Sequence, residues 1–361
     1  MRTSLVSASF LFGVGSLTAV VVTAAVLLRR RRRVRWLAAF VATLCLLASG
    51  AAGANAYFDY IPTVGALVGQ RAADQASGTQ VVRALRSPAL PPHGLVTRVG
   101  IPGSVSGFAA RPAQVYLPPA WFGVPRPSLP VIELLHGTPG TPEDWTRAGQ
   151  ADLVADRWAA AHGGLAPILV MPDVNGGFTA DTECVDGPRG RAETYLTVDV
   201  PRFVATAFGA RQDRGGWALA GASEGGFCAF DLALRHPDRY VAFADFAGLD
   251  RPTARGGARR LFGTVRALLA HSPIWLLGHR PPRPAVAAWF EVGTADGATT
   301  TAVRRAAWAT SRSGLPTTLR LLPHAHHTWR VFRQAFADAF PWLAARFDPP
   351  FSRPPAPPRA A

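Results

Sequence analysis

The chain has no lysine: all 38 basic side chains among its 361 residues are arginine. A mechanism built on a lysine Schiff base is therefore excluded. Charge of either sign is missing from Ser4 to Leu28 and again from Trp36 to Phe58. Each stretch exceeds the roughly 20 residues an α-helix needs to cross a hydrocarbon core of about 30 Å, and neither shows the polar face of a buried soluble helix. Residues 1–58 are read as a transmembrane helical hairpin with spans at 4–28 and 36–58. The loop 29–35 carries Arg29, Arg30, Arg31, Arg32, Arg33 and Arg35. Such cationic loops stay in the cytoplasm, so the N-terminus and everything after Phe58 face outward at the cell membrane. Ala54-Asn55-Ala56 offers a signal-peptide cleavage pattern instead, and that reading also exports the remainder.

A recognisable nucleic-acid module is missing too, despite a net charge of +15. Six of those charges sit in the loop between the two spans, and no basic stripe with interleaved aromatics follows, so nucleic acid is not an expected partner. The arginines of 251–283 are read either as facing anionic membrane lipids or as a solvated arginine-rich surface. Cysteine is scarce, with three in the chain. Cys45 is a packing residue of the second apolar stretch. Cys184 and Cys228 lie in the exported part, where disulfides persist, and are expected to pair. Closing that loop stabilises the fold by about 4 kcal/mol on chain-entropy grounds.

Residues 59–93 form a juxtamembrane connector, with a short helix expected near Val64–Ala73. From Gly94 short apolar β-rich runs alternate with helical ones, and no internal repeat is present. Strands are expected at Leu95–Ile101, Ala113–Leu117, Val131–Leu135, Pro167–Met171, Trp217–Ala220, Val241–Asp245, Ala287–Val292 and Thr318–Leu322. Helices are expected at Pro142–Ala161 with Thr141 as N-cap, Ala192–Phe208, Glu224–Arg235, Thr301–Arg312 and Arg330–Arg346, the last interrupted by Pro341. This alternation predicts an α/β fold: a mostly parallel sheet with helices on both faces, spanning 94–348. The Pro- and Arg-rich segment 251–284 fits no strand and is read as a cap. The tail 349–361 is Pro-rich and expected to be disordered.

Gly221-Ala222-Ser223-Glu224-Gly225 matches G-x-S-x-G, and it sits where a strand ends and a helix begins, the strand–turn–helix setting of a nucleophile elbow. The serine must occupy a tight turn that lifts its Oγ out of the sheet, and side chains at Gly221 or Gly225 would collide with backbone. The following helix N-terminus favours negative charge developing on a substrate oxygen. Ser223 is the expected nucleophile of an α/β-hydrolase fold, whose partners follow in the order serine, acid, histidine. Between residue 250 and the last strand only Glu291 and Asp296 are acidic. Glu291 falls inside an apolar strand, whereas Asp296 follows it in a loop at the strand's carboxyl end, where sheet enzymes place functional groups. Asp296 is the expected acid, with Asp250 second in line.

His324, His326 and His327 cluster after the last strand, and an imidazole suits a base working near neutrality. Spacing alone does not choose among them. No carboxylate or cysteine lies within ten residues of this cluster, so no metal site is expected. His93, His136, His162, His236, His271 and His279 are read as structural or solvated. His136-Gly137-Thr138 closes a strand, and backbone N–H groups there and at Glu224 are placed to meet an acyl oxygen.

Leu134-Leu135-His136-Gly137, Val170-Met171-Pro172-Asp173, the elbow at Ser223 and His327-Thr328-Trp329 together resemble the esterase D / antigen 85 branch of the α/β-hydrolases, which includes actinobacterial mycolyltransferase-like esterases. The likeness covers about residues 94–346. Asn55-Ala56-Tyr57-Phe58 with Pro62-Thr63 is similar to membrane-linked members. The branch carries a His-Ser/Thr-Trp step at its catalytic histidine, so the resemblance implies His327. It also implies oxyanion donors at the N–H groups of Thr138 and Glu224, an acyl ester or lipid substrate, and a sugar acceptor such as trehalose. No metal or organic cofactor is required. Two departures stand out. Glu224 replaces a usual apolar residue, and Asp296 stands where the mycolyltransferases proper carry glutamate, which sets this chain nearer the esterases. A hydrolase-fold protein that only binds lipid or glycan would show a broken set, and here all three positions are filled.

Overall fold

The computed structural model describes residues 4–27, 32–61, 78–87, 89–253 and 261–347. The expected helix near 64–73, the tail from 349 and parts of the arginine loop and cap (28–31 and 254–260) lie outside the described residues.

Helices α1 (Ala8–Leu27) and α2 (Arg32–Phe58) are each long and apolar enough to cross a membrane. The chain doubles back between them: Thr18 Oγ1 lies 2.8 Å from Ser49 Oγ and donates to the Cys45 carbonyl at 3.3 Å. Small hydroxyl residues let two apolar helices approach and give their polar groups partners. After Phe58 the side chain of Asn55 replaces helix bonds, donating to the Ile61 carbonyl at 2.8 Å and accepting the Ile61 N–H at 2.7 Å.

The larger unit is built on an eight-stranded sheet. Its strands are β1 (Leu95–Val99), β2 (Ala113–Leu117), β3 (Val131–Leu135), β4 (Ile168–Met171), β5 (Trp217–Ala222), β6 (Ala242–Phe246), β7 (Ala287–Gly293) and β8 (Thr317–Leu322). They run in the order β1-β2-β4-β3-β5-β6-β7-β8, with β2 alone antiparallel to its neighbours. Every residue of β3, β5, β6 and β7 is buried. Successive strand residues point to opposite faces, so helices must cover both. The main ones are α3 (Ala151–Ala161), α4 (Val200–Phe208), α5 (Glu224–Arg235), α6 (Ala298–Arg312) and α7 (Trp329–Ala344), the last with Pro341 inside it.

One element departs from expectation. Instead of a single helix from Pro142 capped by Thr141, a short helix Asp144–Arg147 precedes α3, and Gln150 between them takes a left-handed φ of 50°. Thr141 does not cap it; its N–H and hydroxyl both donate to the Asp144 carboxylate, at 2.9 and 2.7 Å. The break follows from Trp145, which is fully buried and donates to the Leu135 carbonyl at 3.0 Å, fixing the first turn to the sheet before α3 can start. In the 251–284 segment the described residues form helices Val265–Ala270 and Pro273–His279. They join α5 at its C-terminal end, where Arg235 donates to the Ala270 carbonyl at 2.8 Å and His271 Nδ1 lies 2.9 Å from Asp231 Oδ2.

Cys184 and Cys228 form the expected disulfide, which ties the segment after β4 to the second turn of α5. The double variant Cys184→Ser/Cys228→Ser is expected to lose about 4 kcal/mol of stability on chain-entropy grounds. That loss is read as a lower denaturation midpoint, and an unchanged midpoint would contradict it. A second prediction concerns Glu133, in the middle of β3 and fully buried. Burial pushes its carboxyl up to about 8, against the hydrogen bond from Tyr240 and the charge of Arg239. In the unfolded chain a glutamate titrates near 4.3. A raised acid contributes stability that is complete below the unfolded value and is lost as pH climbs through the folded one. Glu133→Gln should therefore gain melting temperature relative to the parent as pH rises from 4 to 9, by about 3 °C or more. A difference that does not vary with pH would contradict this.

Candidate active site

Strand β5 ends at Ala222 and α5 begins at Glu224, so Ser223 alone makes the turn, at φ 57° and ψ −120°. A non-glycine residue in this region carries a cost of about 1–3 kcal/mol, so the surroundings must over-determine it. They do. The Ser223 N–H donates to the Phe246 carbonyl at 2.9 Å, and the Ser223 carbonyl accepts from Gly226 and Phe227 at 3.0 and 3.2 Å. A methyl group on Gly221 would overlap the Gly225 carbonyl, and one on Gly225 would overlap the carbonyl of Leu135. At Gly137 it would press to 3.1 Å against both the Ala222 carbonyl and Ser223 Cβ. Glycine at these three positions lets β3, β5 and α5 meet closely enough to expose the serine.

Ser223, Asp296 and His327 come together. Ser223 Oγ lies 2.9 Å from His327 Nε2, and His327 Nδ1 lies 2.7 Å from Asp296 Oδ2. The carboxylate side chain is 8% exposed and the imidazole 35%, so the chain runs from a sheltered acid to an accessible ring. Two loops at the carboxyl ends of β7 and β8 hold the pair. Ala295 N–H donates to the Ala325 carbonyl at 2.9 Å, and His324 N–H donates to Thr294 Oγ1 at 2.8 Å. His326 Nδ1 lies 3.1 Å from the Ala295 carbonyl. His324 and His326 thus lace the loops, while His327 faces the serine. Asp250, the second acid considered, pairs with Arg305. Glu291 is buried within β7 and accepts from the indole of Trp289 at 3.0 Å.

On the other side of Ser223 lies the turn after β3. Thr138 Oγ1 is hydrogen-bonded to the Glu224 carboxyl and donates to the Ala180 carbonyl at 3.0 Å. Asn175 Nδ2 reaches Thr138 Oγ1 at 2.6 Å and Glu224 Oε2 at 2.9 Å. Beneath this turn Asp173 gathers Arg111 Nη2 at 2.6 Å, the Arg111 N–H at 2.8 Å and His136 Nε2 at 3.2 Å. Burial alone would raise the Asp173 acid, but hydrogen bonds from His136 and Arg111 hold it far below the usual carboxylate range. His136 is structural, as expected: its Nδ1 sits 2.9 Å from the Gly137 carbonyl, steadying the turn. Arg111 and Asn175 were not singled out by the sequence. Asp173 stood within a quoted motif without a role, and no periodicity links it to Arg111, 62 residues away.

Residues 109–343 match the family described as "Putative esterase". An uncharacterised protein of Corynebacterium glutamicum is 32% identical over 321 residues, spanning 84% of this chain and 75% of that protein. The S-formylglutathione hydrolase of Paracoccus denitrificans is 27% identical over 185 residues, 44% of this chain and 63% of that enzyme. Among solved structures a ferulic acid esterase superposes with a TM-score of 0.61 at 21% identity, over 71% of this chain and 99% of its own, a likeness of fold. The family match spans well over half of the sequence and includes the whole sheet from β2 to β8. The chain belongs to the Putative esterase family and is a carboxylic ester hydrolase of the α/β-hydrolase fold.

Proposed function

We propose that this protein is a membrane-anchored serine esterase or acyltransferase, with its sheet unit outside the cytoplasm, acting through Ser223, His327 and Asp296. The observation that carries the reading is the unbroken run of hydrogen bonds from Ser223 Oγ through the imidazole to Asp296, at 2.9 and 2.7 Å. As Oγ attacks an ester carbonyl, His327 Nε2 takes its proton, and Asp296 stabilises the imidazolium that forms. The N–H groups of Thr138 and Glu224 bind the oxyanion, with the positive end of α5 adding to the field. His327 then returns the proton to the leaving alcohol. The acyl group passes from Ser223 to water, or to a hydroxyl of a sugar such as trehalose, the same imidazole deprotonating whichever acceptor enters.

α1 and α2 are the proposed anchor, with the arginine-rich loop between them in the cytoplasm. The rival reading, a silent hydrolase-fold protein that binds lipid or glycan, has no observation in its favour, since none of the three positions is broken.

A fluorophosphonate probe should label the intact protein, with the label abolished in Ser223→Ala. Asp296→Asn and His327→Ala should each lower p-nitrophenyl ester turnover by at least about a hundredfold, in line with general-base contributions of about 10²–10⁴. Labelling that survives Ser223→Ala, or near-normal rates in the other two, would overturn the assignment. A protease-sensitive reporter fused after Ala361 should be cleaved on intact cells; protection until lysis would reverse the proposed orientation.

A further inference from the structure

Glu224 takes no direct part in the chemistry proposed for the side chains, yet its carboxyl group is built into the site. Oε1 is sealed from solvent with no hydrogen-bond partner among the described residues, and Oε2 meets Thr138 Oγ1 and, at 2.9 Å, Asn175 Nδ2. The protons in this cluster have two arrangements, which differ in the donor between Thr138 and Glu224. Asn175 Oδ1 accepts the Thr182 N–H at 2.8 Å, which turns the amide so that Nδ2 faces Thr138 and Glu224 and donates to both. The Thr138 hydroxyl has a single proton. The Ala180 carbonyl, 3.0 Å away, is an acceptor only. If that proton goes to Ala180, the hydrogen bond between Thr138 Oγ1 and Glu224 Oε2 needs a proton of its own, and the remaining source is the carboxylic acid.

We propose that Glu224 is a positioning residue whose carboxyl group, in its protonated form, donates from Oε2 to Thr138 Oγ1 and clamps the Thr138 turn against the first residue of the nucleophile helix. The hydrogen bonds then run in one direction, from Glu224 Oε2–H to Thr138 Oγ1–H to the Ala180 carbonyl. The clamp fixes the spacing between the two N–H groups that bind the oxyanion, because one belongs to Thr138 and the other to Glu224 itself. This inference rests on the proposed oxyanion role of those N–H groups.

The surroundings suit a neutral acid. Among the described residues the charged groups that act on this carboxyl are Asp181 and Glu183, both negative and both on the segment after β4, while Thr138 and Asn175 meet it as neutral partners. Burial pushes the carboxyl up to about 8, the charge of Asp181 adds to that, and donation from Asn175 pulls the other way. Loss of the proton turns the chain around: an anionic Oε2 draws the Thr138 hydroxyl to itself and leaves Ala180 without its donor, and a charge is stranded beside a buried, unpaired Oε1. Activity should therefore fall on the alkaline side as this proton leaves.

The test compares kcat and KM for p-nitrophenyl acetate from pH 6 to 10 in the parent, Glu224→Gln and Glu224→Leu, after subtraction of uncatalysed hydrolysis. Rates are normalised to the fraction of Ser223 labelled by a fluorophosphonate. The parent should lose kcat about tenfold per pH unit above its alkaline midpoint, with KM held, because oxyanion donors act in the transition state. The glutamine side chain donates a hydrogen bond and does not titrate, so relative to its own rate at pH 7 Glu224→Gln should keep kcat to pH 10 within about threefold. Glu224→Leu should lower kcat by at least tenfold at every pH. An alkaline limb in Glu224→Gln matching the parent's would overturn the proposal, and so would a Glu224→Leu rate equal to the parent's. Failure of Ser223 to label in the parent would instead count against the esterase mechanism itself, so the two failures are distinguishable.

Discussion

The architecture turns on one strained residue. Ser223 holds a left-handed φ of 57° between a buried strand and a helix, and backbone from three elements crowds around it. That crowding excludes side chains at Gly221 and Gly225 and presses on one at Gly137, and it supplies the hydrogen bonds that keep the turn from relaxing. Strain of about 1–3 kcal/mol is sustained only where the surrounding sheet is rigid. Here β5 is buried along its whole length and pairs in parallel on both sides, with β3 and β6. The turn after β3 and the loops after β7 and β8 open at the same edge, where parallel strands all present their carboxyl ends.

The carboxyl groups of Asp173, Glu133, Glu224, Asp245 and Glu291 divide into two kinds, and the division follows their hydrogen-bond donors. Asp173 meets an arginine and a histidine and stays ionised far below the usual range. Among the described residues no cation is hydrogen-bonded to Glu133, Glu224, Asp245 or Glu291, and burial pushes them up to about 7 or 8. Asp245 illustrates the coupling to the elbow. It pairs with Gly221 across β5 and β6, accepts the Gly248 N–H at 2.6 Å, and fills the space that a side chain on Gly226 would need. A neutral acid in these places is a compact hydrogen-bonding group, whereas its anion would carry an uncompensated desolvation cost.

Much of this was legible in the sequence, for identifiable reasons. Strands β2 and β3 and helix α5 fall on their expected bounds: the two strands are short, mostly apolar runs closed by turn residues, and the helix starts at the elbow that its motif marks. Ser223 was marked by its motif and Asp296 by the shortage of acids in its stretch. Choosing His327 over two neighbouring histidines needed family resemblance, since all three lie in one short loop and only packing tells them apart. The split before α3 was not legible, because the burial of Trp145 against the Leu135 carbonyl is a tertiary event that overrides local helix preference. Asn175 and Arg111 were missed for the same kind of reason. Their partners are Glu224, 49 residues on, and Asp173, 62 residues on, and nothing local advertises either pairing.

The central claim is that Ser223 forms a covalent bond with the acyl group during turnover. Rapid mixing with excess p-nitrophenyl butyrate, acid quench within milliseconds, and peptide mass spectrometry test it directly. A burst of about one nitrophenol per protein should accompany a butyryl group on the peptide containing Ser223. Ester turnover without a burst, or acylation at a different residue, would contradict the mechanism.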